Sequence, residues 1–102
     1  GVSVTDAETS ACIADVYART GYMLDPHSAV GVCAHLRFPE AGLGPSVVLA
    51  TAHPAKFPEV VEKAIGRSVP LPLGIAAVME KEEHMRHISA DLGALSAALD
   101  AP

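Results

Sequence analysis

Aromatic and basic side chains are both scarce in this 102-residue sequence. It has no tryptophan, two tyrosines and two phenylalanines, and its 7 lysines and arginines are outnumbered by 12 aspartates and glutamates. Proteins that bind nucleic acid present basic surfaces to the phosphates and aromatic faces to the bases. Because the net charge is −5 and the few rings are scattered, the sequence predicts no nucleic-acid partner.

Long apolar runs are also missing, and the opening residues predict no secretory signal. No stretch approaches the roughly 20 apolar residues that are needed to cross a bilayer, and we expect no membrane association. The opening GVSVTD has neither the basic nor the apolar part of a secretory signal. The two cysteines, Cys12 and Cys33, lie among apolar helical positions, which is typical of free buried thiols in a reducing compartment. We therefore expect a cytoplasmic protein.

The apolar pattern predicts five helices in one unit, with no internal domain boundary over residues 1–102. Thr5 and Glu8 form a capping box, Asp25 is placed as an N-cap before a proline, and Ser89 is the expected N-cap of the last helix. Gly31, inside the second helix, suggests close packing against another backbone. A proline- and glycine-containing turn is expected over 39–45. The predicted helices cover roughly 6–20, 26–37, 58–65, 73–80 and 90–100.

One strand is predicted, at residues 46–50. Its sequence, SVVLA, is apolar, uncharged and partly β-branched, which favours a strand that is buried on both faces of a parallel sheet. One such strand cannot hydrogen-bond its own edges, and a parallel neighbour has to be reached through a crossover. The expected fold class is therefore α/β, a mostly helical fragment with one clear buried strand whose neighbours lie outside this chain.

Two segments carry a family resemblance. Residues 48–57 (VLATAHPAKF) are similar, almost letter for letter, to a segment of threonine synthases, and residues 21–31 (GYMLDPHSAVG) resemble another. The helix at 6–20 and the tail around 90–95 are also similar to the family, so the likeness covers nearly the whole chain. It implies the C-terminal segment of an enzyme of fold type II that depends on pyridoxal 5′-phosphate (PLP). The segment would form part of the large three-layer PLP-binding domain.

The resemblance also implies an activity. Threonine synthases are lyases that convert O-phospho-L-homoserine and water to L-threonine and phosphate in threonine biosynthesis, with PLP as the electron sink. Their Schiff-base lysine lies in an Ala-Phe-Lys-Asp-like segment. The lysines of this chain, Lys56, Lys63 and Lys81, all stand in other contexts. We therefore expect an active parent enzyme, an inactive isolated chain with no catalytic residue of its own, and self-association through the unpaired strand.

Three residues are candidates for the binding site. Thr51 follows the predicted strand, at the end where ligands bind in open α/β sheets. The resemblance implies that its hydroxyl bonds to the pyridine nitrogen of PLP, although a purely local backbone role is the alternative. His53 and Lys56 precede a helix N-terminus, where free N–H groups favour phosphate. They are candidates for binding the substrate phosphate, with loop packing as the alternative.

Other polar groups have simpler interpretations. Asp25 is best explained as a helix cap, although it and His27 could also line the site. His84 and His87 have no further ligand at a zinc-binding spacing, so no metal site is predicted. Residues 80–83 are expected to form a solvated turn.

Two other functions are open to the sequence. The first is a non-catalytic helical interaction module derived from the same domain. The second, a related PLP lyase such as a threonine dehydratase, is disfavoured because those enzymes have a Ser-Gly-Gly-type loop where residues 51–53 are Thr-Ala-His.

Overall fold

Helices make up all the regular structure in residues 1–38 and 44–100, the ranges that the computed structural model describes. The five predicted helices are all present. They are α1 (Asp6–Thr20), α2 (Pro26–Arg37), α3 (Pro58–Ile65), α4 (Leu73–Met79) and α5 (Leu92–Asp100), and a 3-10 turn at Pro54–Lys56 precedes α3.

The capping box at the start of α1 is confirmed. The Thr5 hydroxyl accepts from the Glu8 N–H, and the Glu8 carboxylate accepts from the Thr5 N–H at 2.7 Å. At the other end, the Gly21 N–H donates to the Tyr17 carbonyl at 2.8 Å. Gly21 has φ of 74°, a left-handed conformation that costs glycine little because it has no Cβ. Both ends of α1 are thus determined by local sequence.

Helix α2 begins at a buried carboxylate. Asp25 is 2% exposed, and its Oδ1 accepts from the backbone N–H groups of His27 at 2.9 Å and Ser28 at 3.3 Å. Burial by itself raises the pKa of Asp25. The hydrogen bonds from the Ser28 hydroxyl and from these backbone groups outweigh it and hold the pKa below its usual value. Asp25 therefore caps α2 as a carboxylate, as the sequence predicted.

The core lies where α1 packs against both α2 and α3. It is small, and its fully buried side chains include Ile13 and Val61. Outside the core, Arg37 near the end of α2 donates to the Glu8 carboxylate and to the Ser3 carbonyl, which ties α2 to the start of the chain. The radius of gyration is 18.3 Å, whereas a compact domain of this length has about 13 Å. Much of the chain therefore lies away from the core.

The predicted strand at residues 46–50 is wrong. This segment has no regular secondary structure and pairs with no strand in the described ranges, and its side chains are exposed, with Val47 86% and Leu49 77% accessible. Within 1–38 and 44–100 there is no strand or sheet, so the expected α/β class is corrected to an all-helical fold. The physical reason is that a strand forms only where another backbone satisfies its N–H and C=O groups.

Smaller corrections concern the C-terminal half. Helix α5 is capped by Asp91 rather than Ser89, since Asp91 Oδ1 accepts from the Ala94 N–H at 2.8 Å. The turn predicted at 39–45 falls largely on residues 39–43, outside the described ranges. Of the helices in the described ranges, none is long and apolar enough to span a membrane.

Candidate functional site

An open cavity of about 670 Å³ lies where three segments meet, residues 22–23, 50–54 and 69–72. Apolar side chains such as Met23 and Leu71 form much of its wall, and Thr51 and His53 also line it. Small-molecule sites are usually cavities of roughly 300–1,000 Å³ with apolar walls and a few polar groups. The structure therefore brings two of the three candidate residues to one cavity of suitable size.

Thr51 is exposed, in irregular backbone between residues 44–50 and the 3-10 turn. Within the part of the chain that the structure describes, its hydroxyl makes no hydrogen bond to another residue. A hydroxyl carries one donor and two acceptor sites. Thr51 therefore presents an unused donor and acceptor in the wall of the cavity.

The imidazole of His53 is held by the turn that follows it. Its Nδ1 accepts from the Ala55 N–H at 3.1 Å, and its carbonyl accepts from the Lys56 N–H at 3.0 Å. Because Nδ1 acts as the acceptor, the proton of the neutral ring lies on Nε2. His53 thus contributes a ring N–H donor to the group of residues around the cavity.

Lys56 occupies a different place. It ends the 3-10 turn, is exposed, and lines a separate hollow of about 270 Å³ with residues 57–60. It is not among the residues that line the larger cavity. The structure therefore groups Thr51 with His53 and places Lys56 beside the start of α3.

His27, which lies beside the Asp25 carboxylate, contacts the C-terminal end of the loop formed by residues 51–57. His27 Nδ1 lies 3.2 Å from Asp25 Oδ1, and the His27 ring meets the Phe57 ring edge to face, with centroids 5.1 Å apart and planes inclined by 60°. Phe57 directly follows the 3-10 turn. The cap of α2 is thereby joined to the loop that carries the candidate residues.

Sequence reasoning assigned no site role to the rest of the cavity wall. Tyr22 and Met23 belong to a segment that resembles the family, but their side chains carry no chemical signal of a site. Pro70 and Pro72 indicated only a loop. As for metals, no cluster of three or more His, Cys, Asp or Glu within residues 1–38 and 44–100 could hold an ion.

Comparison with known proteins identifies the family. The profile of the family described as "Threonine synthase, C-terminal" matches residues 28–99. The threonine synthase of Pseudomonas aeruginosa is 42% identical over 97 residues, which cover 94% of this chain, and that of Escherichia coli is 35% identical over 98 residues, which cover 93%. A crystal structure of PLP-bound threonine synthase from Brucella melitensis superposes with a TM-score of 0.68 at 48% identity over 78% of the chain.

These matches show that the chain is a segment of a protein from an enzyme family. It belongs to the threonine synthase family, in the C-terminal part, and the resemblance seen in the sequence is confirmed. The chain spans only about a fifth of its relatives, 21% of the P. aeruginosa protein, 22% of the E. coli protein and 17% of the B. melitensis chain.

Proposed function

We propose that residues 1–102 form one C-terminal segment, without an internal domain boundary, of the cofactor-binding domain of a PLP-dependent threonine synthase. The parent enzyme converts O-phospho-L-homoserine and water to L-threonine and phosphate. The observation that carries this proposal is the cavity that Thr51 and His53 share, in a chain 48% identical to a PLP-bound relative. Its mixed apolar and polar wall has the character of a small-molecule site.

The residues of the cavity suit PLP. The apolar wall matches the faces of a pyridine ring, and the unused Thr51 hydroxyl would donate to the ring nitrogen. A neutral hydroxyl, unlike a carboxylate, does not hold that nitrogen protonated, so Thr51 would moderate the electron demand of the ring. When bound, PLP supplies the electron sink of the reaction.

The phosphate of the substrate calls for donors and positive charge. His53 offers an N–H at Nε2, and Lys56 offers an ammonium group beside the N-terminus of α3, whose backbone N–H groups have no side-chain cap. We assign both to the substrate phosphate, with His53 nearer Thr51 because the two line the same cavity.

The exposed apolar side chains support a role as part of a larger protein. Monomeric proteins rarely expose extensive apolar surface, yet this chain exposes long aliphatic side chains on several elements, where the rest of the parent would cover them. The most exposed are Val47 at 86%, Leu73 at 89% and Leu92 at 80%. We assign the parent to the cytoplasm, and the two free thiols of this chain support that assignment.

The test uses the complete gene. The full-length protein is purified with PLP and assayed for phosphate release and threonine formation from O-phospho-L-homoserine, and the isolated 102 residues serve as the inactive control. We expect turnover by the parent only. A parent that binds PLP but leaves this substrate intact would exclude the activity. A reading frame without a Phe-Lys-Asp-like lysine segment would favour the non-catalytic interaction module, whose self-contained part would be the core of α1, α2 and α3.

A further inference from the structure

We propose that His27 is a positioning residue that, through Phe57, holds the loop of residues 51–57 in the conformation in which Thr51 and His53 share one cavity. The role of that cavity rests on the proposed function. The contacts that fix the loop are independent of it.

The anchor of this arrangement is the Asp25 carboxylate. It is 2% exposed and accepts hydrogen bonds from the backbone N–H groups of His27 and Ser28 and from the Ser28 hydroxyl. A buried group with several donors in fixed positions has little freedom to turn. Its Oδ1 also lies 3.2 Å from His27 Nδ1, so the carboxylate fixes the direction of the imidazole and places a proton on Nδ1.

The oriented imidazole then contacts the loop. The side chain of His27 is 60% exposed, so burial alone does not hold it, yet its ring lies edge to face with Phe57 at 5.1 Å. Aromatic pairs of this geometry contribute beyond the area that they bury. Phe57 itself packs against the core cluster. The pair therefore joins the start of α2 to the end of the loop.

Backbone hydrogen bonds of Phe57 join the 3-10 turn before it to helix α3 after it. Its N–H donates to the Pro54 carbonyl at 2.9 Å and ends the 3-10 turn, while its carbonyl accepts from the Val61 N–H at 3.1 Å in the first turn of α3. Because helix α3 has no side-chain cap, the packing of the Phe57 ring holds the junction between the 3-10 turn and α3 in place. A shift of Phe57 would move the turn at 54–56, whose N–H groups hold His53 at Nδ1 and at its carbonyl.

The test compares variants of the full-length parent. His27→Leu removes both contacts, His27→Phe keeps an aromatic ring against Phe57 without the Asp25 bond, and His35→Leu changes an exposed histidine of the same helix. The first readout is amide exchange at residues 55–57 in the cofactor-free protein. The second is PLP affinity. We expect His27→Leu to speed amide exchange and weaken PLP binding, each by about 3- to 10-fold. His27→Phe should show smaller changes in both, because a ring still packs against Phe57. His35→Leu should match the wild type.

A double variant makes the test specific. Because His27 acts through Phe57, His27→Leu should add almost nothing to the effects of Phe57→Leu on exchange and affinity. Additive effects, or a His27→Leu protein that equals His35→Leu in exchange, would overturn the proposal. Failure of the proposed function looks different, since the wild-type parent would then bind no PLP while exchange in the cofactor-free protein still separated the variants.

Discussion

Gly31 of α2 lies so close to Val48 that a side chain at position 31 would have to displace the valine. A Cβ built on Gly31 would stand 2.8 Å from Val48 Cγ1, closer than carbon atoms approach without displacement. The close packing that the sequence suggested is therefore present, although the partner is a side chain rather than a backbone. Val48 of the segment 44–50 therefore lies against α2, three residues before Thr51.

Replacing Gly31 with alanine should separate two effects. The helix should gain up to about 1 kcal/mol because alanine is the better helix former, while Val48 is pushed off α2. In the parent we expect little change in the melting temperature but weaker PLP binding, since residues 50–54 line the cavity. Gly74→Ala, in α4 with open space around its Cβ position, is the control and should leave PLP affinity unchanged. Equal affinities for the two variants would mean that the Val48 contact does not position Thr51.

Thr51→Val in the full-length parent tests the proposed hydrogen bond to the cofactor. Valine keeps the shape and removes the hydroxyl, so PLP affinity should fall by the equivalent of about 1–3 kcal/mol, because the ring nitrogen is left unpaired. Thr51→Ser keeps the hydroxyl and should retain most of the affinity. Absorbance titration with PLP measures both affinities. A valine variant that binds PLP as tightly as the wild type, with a loss only in the serine variant, would assign Thr51 a shape role only.

Alkaline pH should weaken the helical core through Cys12. Burial, together with the neighbouring Cys33 thiol, raises the pKa of Cys12 from 9.0 to about 11. The folded chain therefore keeps this proton at a pH where the unfolded chain loses it. The contribution to stability is complete below about pH 9 and declines as pH rises towards 11. Urea unfolding across this window should show a steeper loss for the wild type than for Cys12→Ala, and parallel slopes would contradict the assignment.

The isolated chain should self-associate. Val47 and Leu49 are exposed on a segment without regular secondary structure, and burying such side chains at about 25 cal/mol per Å² is worth several kcal/mol. Sedimentation over a concentration series should show growing mass, and Leu49→Lys should reduce it. Val2→Lys, a change of the same kind at a less exposed site away from this segment, should not. A monomer at every concentration would show that the chain tolerates this surface in water.

The sequence predicted what nearby residues determine. The caps of α1 and α2 follow from hydrogen bonds between residues two to four apart, and both are as expected. The N-cap of α5 was misplaced because Ser89 and Asp91 are both good caps two residues apart, and only the carboxylate reaches the Ala94 N–H.

Long-range features were harder to predict. The apolar pattern at 46–50 indicates that the segment favours apolar surroundings, but it does not show whether a partner strand is near. No such partner occurs in the described ranges. The meeting of Thr51 and His53 in one cavity depends on residues 69–72, whose prolines signalled only a loop. The contact between the His27 and Phe57 rings joins residues far apart along the chain, and no local pattern indicates it.

The hydrogen bond from Arg37 to the Ser3 carbonyl affects where a segment of the parent should begin if it is expressed by itself. An expressed segment that starts at Asp6, the first residue of α1, would lack the Thr5 cap. It would also lack the Ser3 carbonyl, one of the two acceptors of Arg37. Trimming at Ser28 would separate that residue from the Asp25 carboxylate and discard α1 with Ile13. Residues on the N-terminal side of α1 and α2 therefore stabilise both helices, and a stable expressed segment has to begin upstream of Ser3.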